Sequence, residues 1–544
     1  MSHLSLREES AMTKLTLKVI TQILDENGNP VKSSSCSAPL GDVDEFDHEA
    51  KKNGFVQAFD SVEKQMVKVH RQSGNDMMSG FINAVNEKKN GQETKQRESF
   101  FRSEVGCIRA SSDSEWFRGF KPKEHVLSLG VEDIIIRSAV SMSYRDSFCL
   151  LNRIWNLPEA DMLKERTLWD RIDAEGIRAI KAVDNAAEKA LHKYHYEQAG
   201  DLVKLAKQDP AYGRGSPQNP DMEQKIRTAI AQLNSIPDRP EWAMLDAGEI
   251  RIESKDSSVC IAIDDIGVKK QKDKRQKPEA EKQGNKDDPE WCHRTAAKLT
   301  DARLDRKAPR KKYVETTNVH IVTGSRHYVI TTAQGLEHAF MLLMAFLLQN
   351  DLIRNHDIVF FTDGAKCIQD NIKKYFCGHE YLLILDFYHL IKHCEQGLSM
   401  AISKPAIRNE ILYGNLSGML WNGKTDQAVK YLSELPDSAV KNKAQLQDVI
   451  DYIERKKEGI TTLSIRRWLG MKIGSRDVEK DNDMIVASRQ KHNGMSWNRE
   501  GSSNLSALTA MIRNGQMNSF ILGKKLNFSP RYLQCSIGSV LAFA

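Results

Sequence analysis

Little in this 544-residue chain marks a secreted or membrane-bound protein. Its nine cysteines (Cys36, Cys107, Cys149, Cys260, Cys292, Cys367, Cys377, Cys394 and Cys535) show no CxxC pairing and fall well short of disulfide-scaffold density, which predicts reduced thiols and an intracellular protein. The start, MSHLSLREESAMTK, has no contiguous apolar core of signal-peptide length. No stretch approaches the ~18 uninterrupted apolar residues of a membrane span. The most apolar run, FMLLMAFLL at 340–348, is flanked by His338 and Gln349 and predicts a buried helix on a sheet. Charge of one sign is also lacking: 79 basic against 73 acidic residues leave +6, so only local patches can argue for a polyanionic partner. The length predicts two to four domains.

Against this background the segment IVFFTDGAKCI at 358–368 stands out. Ile358, Val359, Phe360 and Phe361 predict a strand buried on both faces, and Asp363 with Gly364 follows at its C-terminal edge, where open α/β sheets bind ligands. Two further apolar runs meet acids in the same way. VCIAIDD ends in Asp264 and Asp265, and YLLILDFYH ends in Asp386 and His389. Residues 314–332 alternate around Gly324 and Ser325 as a hairpin does. The order is then strand, hairpin, helix, strand, helix, strand, the succession of a ribonuclease H-like α/β core with a mixed sheet.

Residues 1–125 are polar and irregular, and no chemistry is assigned to them. Within 126–200 three short helices predict a helix-turn-helix-like domain. Ser143 with Asp146 and Thr167 with Asp170 fit capping boxes, and Arg171, Arg178 and Lys181 lie close to one helical face as DNA-facing candidates. A plain helical hairpin with a solvated basic face is the alternative. Residues 201–254 form a linker and a helix. The core runs over 255–395, is interrupted by an all-helical insertion at 396–472, and resumes over 473–544. A charged stretch after Asp264 continues into RKAPRKK, where Arg310 and Lys311 are candidates for DNA backbone contact. Cys377, His379, His389, His393 and Cys394 contain spacings found in zinc sites, but Cys377 and Cys394 read as ordinary ends of a strand and a helix.

Four motifs in this order resemble those of bacterial insertion-sequence transposases of the DDE class, most closely the Kra-type group. They are Asp264 in IAIDDIGV, Asp363 in TDGAK, LDFYH at 385–389, and IGSRDVEKDNDMIVASRQKHNGMSWNREG at 473–501. The resemblance covers roughly 255–520. It implies a ribonuclease H-like core that cleaves DNA at transposon ends and joins it to target DNA. Asp264, Asp363 and Glu479 would be the catalytic and metal-binding acids for Mg²⁺ or Mn²⁺, bound as two ions. It also implies terminal inverted repeats and target DNA as partners, a homo-oligomeric synaptic complex, and a cytoplasmic, nucleoid-associated bacterial protein with no membrane.

Each assignment has a rival. Asp265 neighbours Asp264, but side chains alternate on a strand and only one of the two can face the site. Glu500 rivals Glu479, and Asp483 could share the Glu479 face. Asp386 and His389 could act on a metal or a phosphate, or serve structural hydrogen bonding. Arg489 and Lys491 suit the DNA backbone, and Trp497 suits either base stacking or a core. Arg476 stands where the family motif has a second glycine, which predicts an altered turn before Glu479. Other readings of the chain are a nuclease on the same core, or a non-catalytic DNA-binding protein derived from a transposase.

Overall fold

A computed structural model describes residues 14–90, 98–103, 106–111, 126–155, 163–217, 220–246, 250, 252–254, 257–271, 313–492 and 495–532. The chain divides into two compact units, Met1–Ile172 and Asp173–Ala544, with the division falling inside the helix Glu165–Lys193.

In the first unit, strands β1 (Lys14–Leu24) and β2 (Pro30–Asp42) form an antiparallel hairpin, followed by helices Val43–Asn53 and Phe55–Asn90. This is more regular than the polar sequence predicts. Strands β3 (Glu98–Ser103), β4 (Gly106–Ser111) and β5 (Val126–Leu127) form a second small sheet. Helices Leu129–Ser141 and Tyr144–Trp155 then precede Glu165–Lys193, so three helices occupy the predicted region. The first capping box is present, with the Asp146 amide donating to Ser143 Oγ at 3.0 Å. The second is not, because the helix begins at Glu165 and the Thr167 amide donates to the Lys164 carbonyl at 2.9 Å.

The second unit is built on a six-stranded mixed sheet. Its strands are β6 (Ser258–Lys269), β7 (Tyr313–Thr323), β8 (Arg326–Thr332), β9 (Asp357–Thr362), β10 (Tyr381–Leu385) and β11 (Arg531–Tyr532), in the spatial order β10-β9-β6-β7-β8-β11. Strands β6, β7 and β8 form an antiparallel meander, whereas β9 runs parallel to β6 and β10 parallel to β9. The parallel strands are joined by helices, as such connections require.

Period-two alternation sorts the strand residues between two cores. Val259, Ile261, Ile263, Ile358, Phe360 and Leu383 pack with the helix Leu336–Gln349, whose predicted apolar run is buried from Leu342 to Leu348. Ala262, Val359, Phe361 and Ile384 face the other way, against Leu463 and Val478. Beyond β10 the chain is helical from Phe387 to Trp468, around its own apolar cluster that includes Leu390, Leu398, Leu416, Val449 and Ile453. None of the helices formed by the described residues is long and apolar enough to cross a membrane.

Candidate active site

Strand β6 runs past Asp264 to Lys269, so Asp264 is not at a strand end as its sequence predicts. It lies where its neighbour stops: pairing with β9 ends at Ala262 and Phe361, while pairing with β7 continues. Continuing that register brings Asp264 level with Asp363. The pairing of Leu385 with Thr362 likewise brings Asp386 level with Asp363. By alternation Asp264 shares the face of Ala262, and Asp363 that of Phe361. Val478 packs on this same face, from the helix Arg476–Asp481 that carries Glu479. Asp265 is exposed and accepts from Thr317 Oγ1.

The carboxyl of Asp264 is pushed up to about 6, first by burial and then by the charge of Asp363; the nearby His389 acts in the opposite direction. Its Oδ2 accepts from Asn482 Nδ2 at 2.7 Å, and Asn482 Oδ1 accepts in turn from Asn318 at 2.7 Å. Asp363 Oδ1 accepts from the Ala365 amide at 2.7 Å. Among the described residues neither acid has a cation within ion-pair distance.

Ligand atoms of Asp386, His389 and Glu479 lie within 4.8 Å of one another. Their environments differ. Asp386 is buried, and although burial raises its pKa, hydrogen bonds from Ser475 and His389 hold it below the ordinary carboxylate range. Its Oδ2 accepts from the Ser475 amide and hydroxyl, both at 3.0 Å, and its Oδ1 accepts from the His389 amide at 3.2 Å and sits 3.1 Å from His389 Nδ1. With its acceptor capacity used in this way, Asp386 fits an orienting role, and His389 Nε2 is the ring atom left to act as a ligand. Glu479 is exposed, with Oε1 3.2 Å from Ser475 Oγ, whose single hydroxyl proton it shares with Asp386. Gly474 permits this approach, because a Cβ there would sit 2.7 Å from Asp386 Oδ2.

The rivals of Glu479 lie elsewhere. Asp483 is exposed, with its carboxylate 4.0 Å from His492, and Glu500 is exposed in the first turn of the helix Arg499–Arg513. Arg476 causes no conflict in the turn: it is the first residue of a right-handed helix, and its backbone does not enter the left-handed region. Sequence reasoning missed Asn482 and Ser475. The only signal for Asn482 was its i+3 spacing from Glu479. It opens a π-helical turn, Asn482–Ala487, a distortion frequent at functional sites.

The DNA-facing candidates are largely tied down. Arg171 Nε donates to the buried Glu132 at 3.0 Å. Arg178 donates to Glu175 at 2.7 Å and to the Phe520 carbonyl at 3.1 Å, with its guanidinium 3.8 Å over the Phe520 ring. Arg489 is buried and lies 5.2 Å over the ring of Trp497. Trp497 itself is 7% exposed and donates to the Gln490 carbonyl at 3.1 Å, so it is a core tryptophan with no face open to a base. Lys181 and Lys491 are exposed. Arg310 and Lys311 lie outside the described residues. Of the zinc-like set, Cys377 is exposed, Cys394 is buried, His379 contacts the Ile353 carbonyl at 3.1 Å, and His393 stacks on Tyr452 with ring centroids 3.6 Å apart. These four do not form a ligand grouping among the described residues.

Comparison of the chain with protein-family models, curated proteins and solved structures gave no match in any of the three.

If Asp264 is a metal ligand, a cation would compete with its proton, and divalent-cation affinity is expected to fall about tenfold per pH unit below about 6 and to level off above it. Mn²⁺ titration calorimetry across pH 5–8 checks this. A flat profile across pH 6 would show that Asp264 is not a ligand.

Proposed function

We propose that the second unit is a ribonuclease H-like catalytic core and that the chain is a DNA transposase, performing metal-dependent cleavage and joining of DNA. One observation carries this reading. Two carboxylates, Asp264 and Asp363, come level where the parallel pairing of β6 with β9 stops, the charge of Asp363 raises the pKa of Asp264, and neither makes an ion pair among the described residues. Ionising Asp264 beside Asp363 costs the fold stability, which a bound cation would offset. Oxygen donors from Asp264, Asp363 and Glu479 fit a hard ion such as Mg²⁺ or Mn²⁺, and His389 Nε2 favours Mn²⁺. The strand order supports the core assignment, with an antiparallel meander followed by two parallel strands.

A bound divalent cation there supplies charge stabilisation and a lowered pKa for bound water. The chain's own residues set the geometry. Asn482 bonds to Asp264, and Asp386 and Ser475 contact His389 and Glu479, which among the described residues group within 4.8 Å with Asp386 and without Asp264 and Asp363. Transposon ends and target DNA are the proposed substrates, and joining two ends implies a synaptic complex of more than one copy.

The test is incubation of purified full-length protein with Mg²⁺ and labelled DNA carrying the inverted repeats that flank its reading frame. Cleavage at the repeat ends with joined product is expected. Cleavage without joining would make the protein a nuclease on the same core, and end binding without cleavage would make it a DNA-binding derivative.

A further inference from the structure

The turn that carries Asp363 is held by the helical segment inserted between β10 and the Glu479 helix. Gly364 adopts φ +92°, and a Cβ there would lie 2.8 Å from Leu385 Cδ1, 3.5 Å from Tyr452 Oη and 3.7 Å from Lys456 Cε. The turn is therefore enclosed by β10 on one side and by the inserted segment on the other. Lys456 directly follows the helix Lys443–Arg455. Its Nζ donates to the Gly364 carbonyl at 2.7 Å and to Gln369 Oε1 at 2.7 Å, the latter in the helix after Asp363.

This lysine stands on a rigid base. Its amide donates to the Tyr452 carbonyl at 3.1 Å, and its own carbonyl accepts from the Gly459 amide at 2.9 Å. Gly459 is pressed on β10, where a Cβ would meet the Leu385 amide nitrogen at 3.3 Å. Tyr452 is fixed by stacking on His393. Burial and the charge of Arg455 pull the Lys456 pKa down while the charge of Asp363 pulls it up, which sets the ammonium inside the field of that carboxylate. An amine that ties the turn residue directly after Asp363 to the helix that follows it, from a segment outside the sheet, is placed to define where that acid points.

We propose that Lys456 is a positioning residue for the reaction, fixing the Asp363 turn through Gly364 and Gln369 and making the helical insertion a working part of the active site. This rests on the reading of Asp363 as a reacting-centre carboxylate. Lys456 is not assigned contact with the reacting atoms.

The test uses full-length Lys456→Met and Lys456→Arg proteins with two readouts. In hydrogen exchange, Lys456→Met is expected to speed exchange of the Gly364 and Ala365 amides about tenfold while leaving β6 and β9 protected. In Mg²⁺-dependent cleavage of end-containing DNA, Lys456→Met is expected to lower kcat about 10–100-fold with KM unchanged, since a small misplacement of a reacting group acts on the chemical step. Lys456→Arg, which keeps donors at that position, should stay within about tenfold of wild type. Unchanged exchange and unchanged kcat would overturn the proposal. A raised KM at constant kcat would overturn it too, and would make Lys456 a DNA contact. If the wild-type protein cleaves no DNA, the phosphoryl-transfer reading fails, and the exchange measurement still decides whether Lys456 holds the turn.

Discussion

Asp363→Asn is expected to lower metal-dependent DNA cleavage about 10³-fold or more while making the metal-free protein more stable. The loss follows from the charge. An amide oxygen in place of a carboxylate holds a divalent cation weakly, and on the proposed reading several kcal/mol of transition-state stabilisation would depend on that ion, at about 1.4 kcal/mol per tenfold. The gain follows from Asp264. A rise from 3.8 to about 6 means that its ionised form costs the metal-free fold about 3 kcal/mol at neutral pH. Because the folded-state pKa lies above the unfolded one, this group's stabilising contribution is fully present below pH 3.8 and is lost as pH rises through about 6. Burial is the first cause and the Asp363 charge the second, so removing that charge should recover only about 1 kcal/mol. The side-chain oxygen of the substituted asparagine can still accept the Ala365 amide hydrogen bond, so the turn survives. Denaturant unfolding in EDTA at pH 7.5, beside a cleavage assay in Mg²⁺, measures both effects. A variant that cleaves at the wild-type rate would remove Asp363 from the mechanism.

The burial of Asp264 at a destabilising cost explains which parts of the site were legible beforehand. Asp264 and Asp363 follow apolar runs, and a charge placed where burial is expected is conspicuous. The strands themselves were legible for the same reason, since Ile358–Phe361 had to be buried on both faces. The hydrogen-bonding partners were not. Asn482 and Lys456 are ordinary polar residues in helical sequence, 218 and 92 positions from the groups they hold, and only the tertiary fold gives them meaning. Trp497 and Arg489 were ambiguous in the sequence. Their residue types suit nucleic acid, but their i+8 spacing folds back through the Gln490 carbonyl into the core. The β1–β2 hairpin was illegible because β2, PVKSSSCSAPLGD, has too few apolar residues to reveal the face it buries.

The largest expected stability effect comes from a pair that no motif announced. Arg466 and Glu253 are 2% and 0% exposed at their side chains, and join through two hydrogen bonds of 2.5 and 2.6 Å. Arg466 Nε also donates to the Lys472 carbonyl at 2.9 Å, and Lys472 Nζ donates to Asp477 at 2.9 Å. The pair thus secures the stretch that leads through Gly474 and Ser475 to Glu479. Glu253→Ala leaves a buried guanidinium without its counter-charge and is expected to cost about 3–5 kcal/mol. Glu253→Leu combined with Arg466→Met removes both charges and should recover most of that loss, since the cost lies in the orphaned charge. The double variant still lacks the donor to Lys472, so its stability should return further than its cleavage rate, because the Glu479 turn loses one of its restraints. Urea unfolding of the single and double variants, with cleavage kcat measured on each, separates the two effects. A loss below about 1 kcal/mol for Glu253→Ala would mean that water reaches the guanidinium and that the turn is held by Asp386 and Ser475 without it.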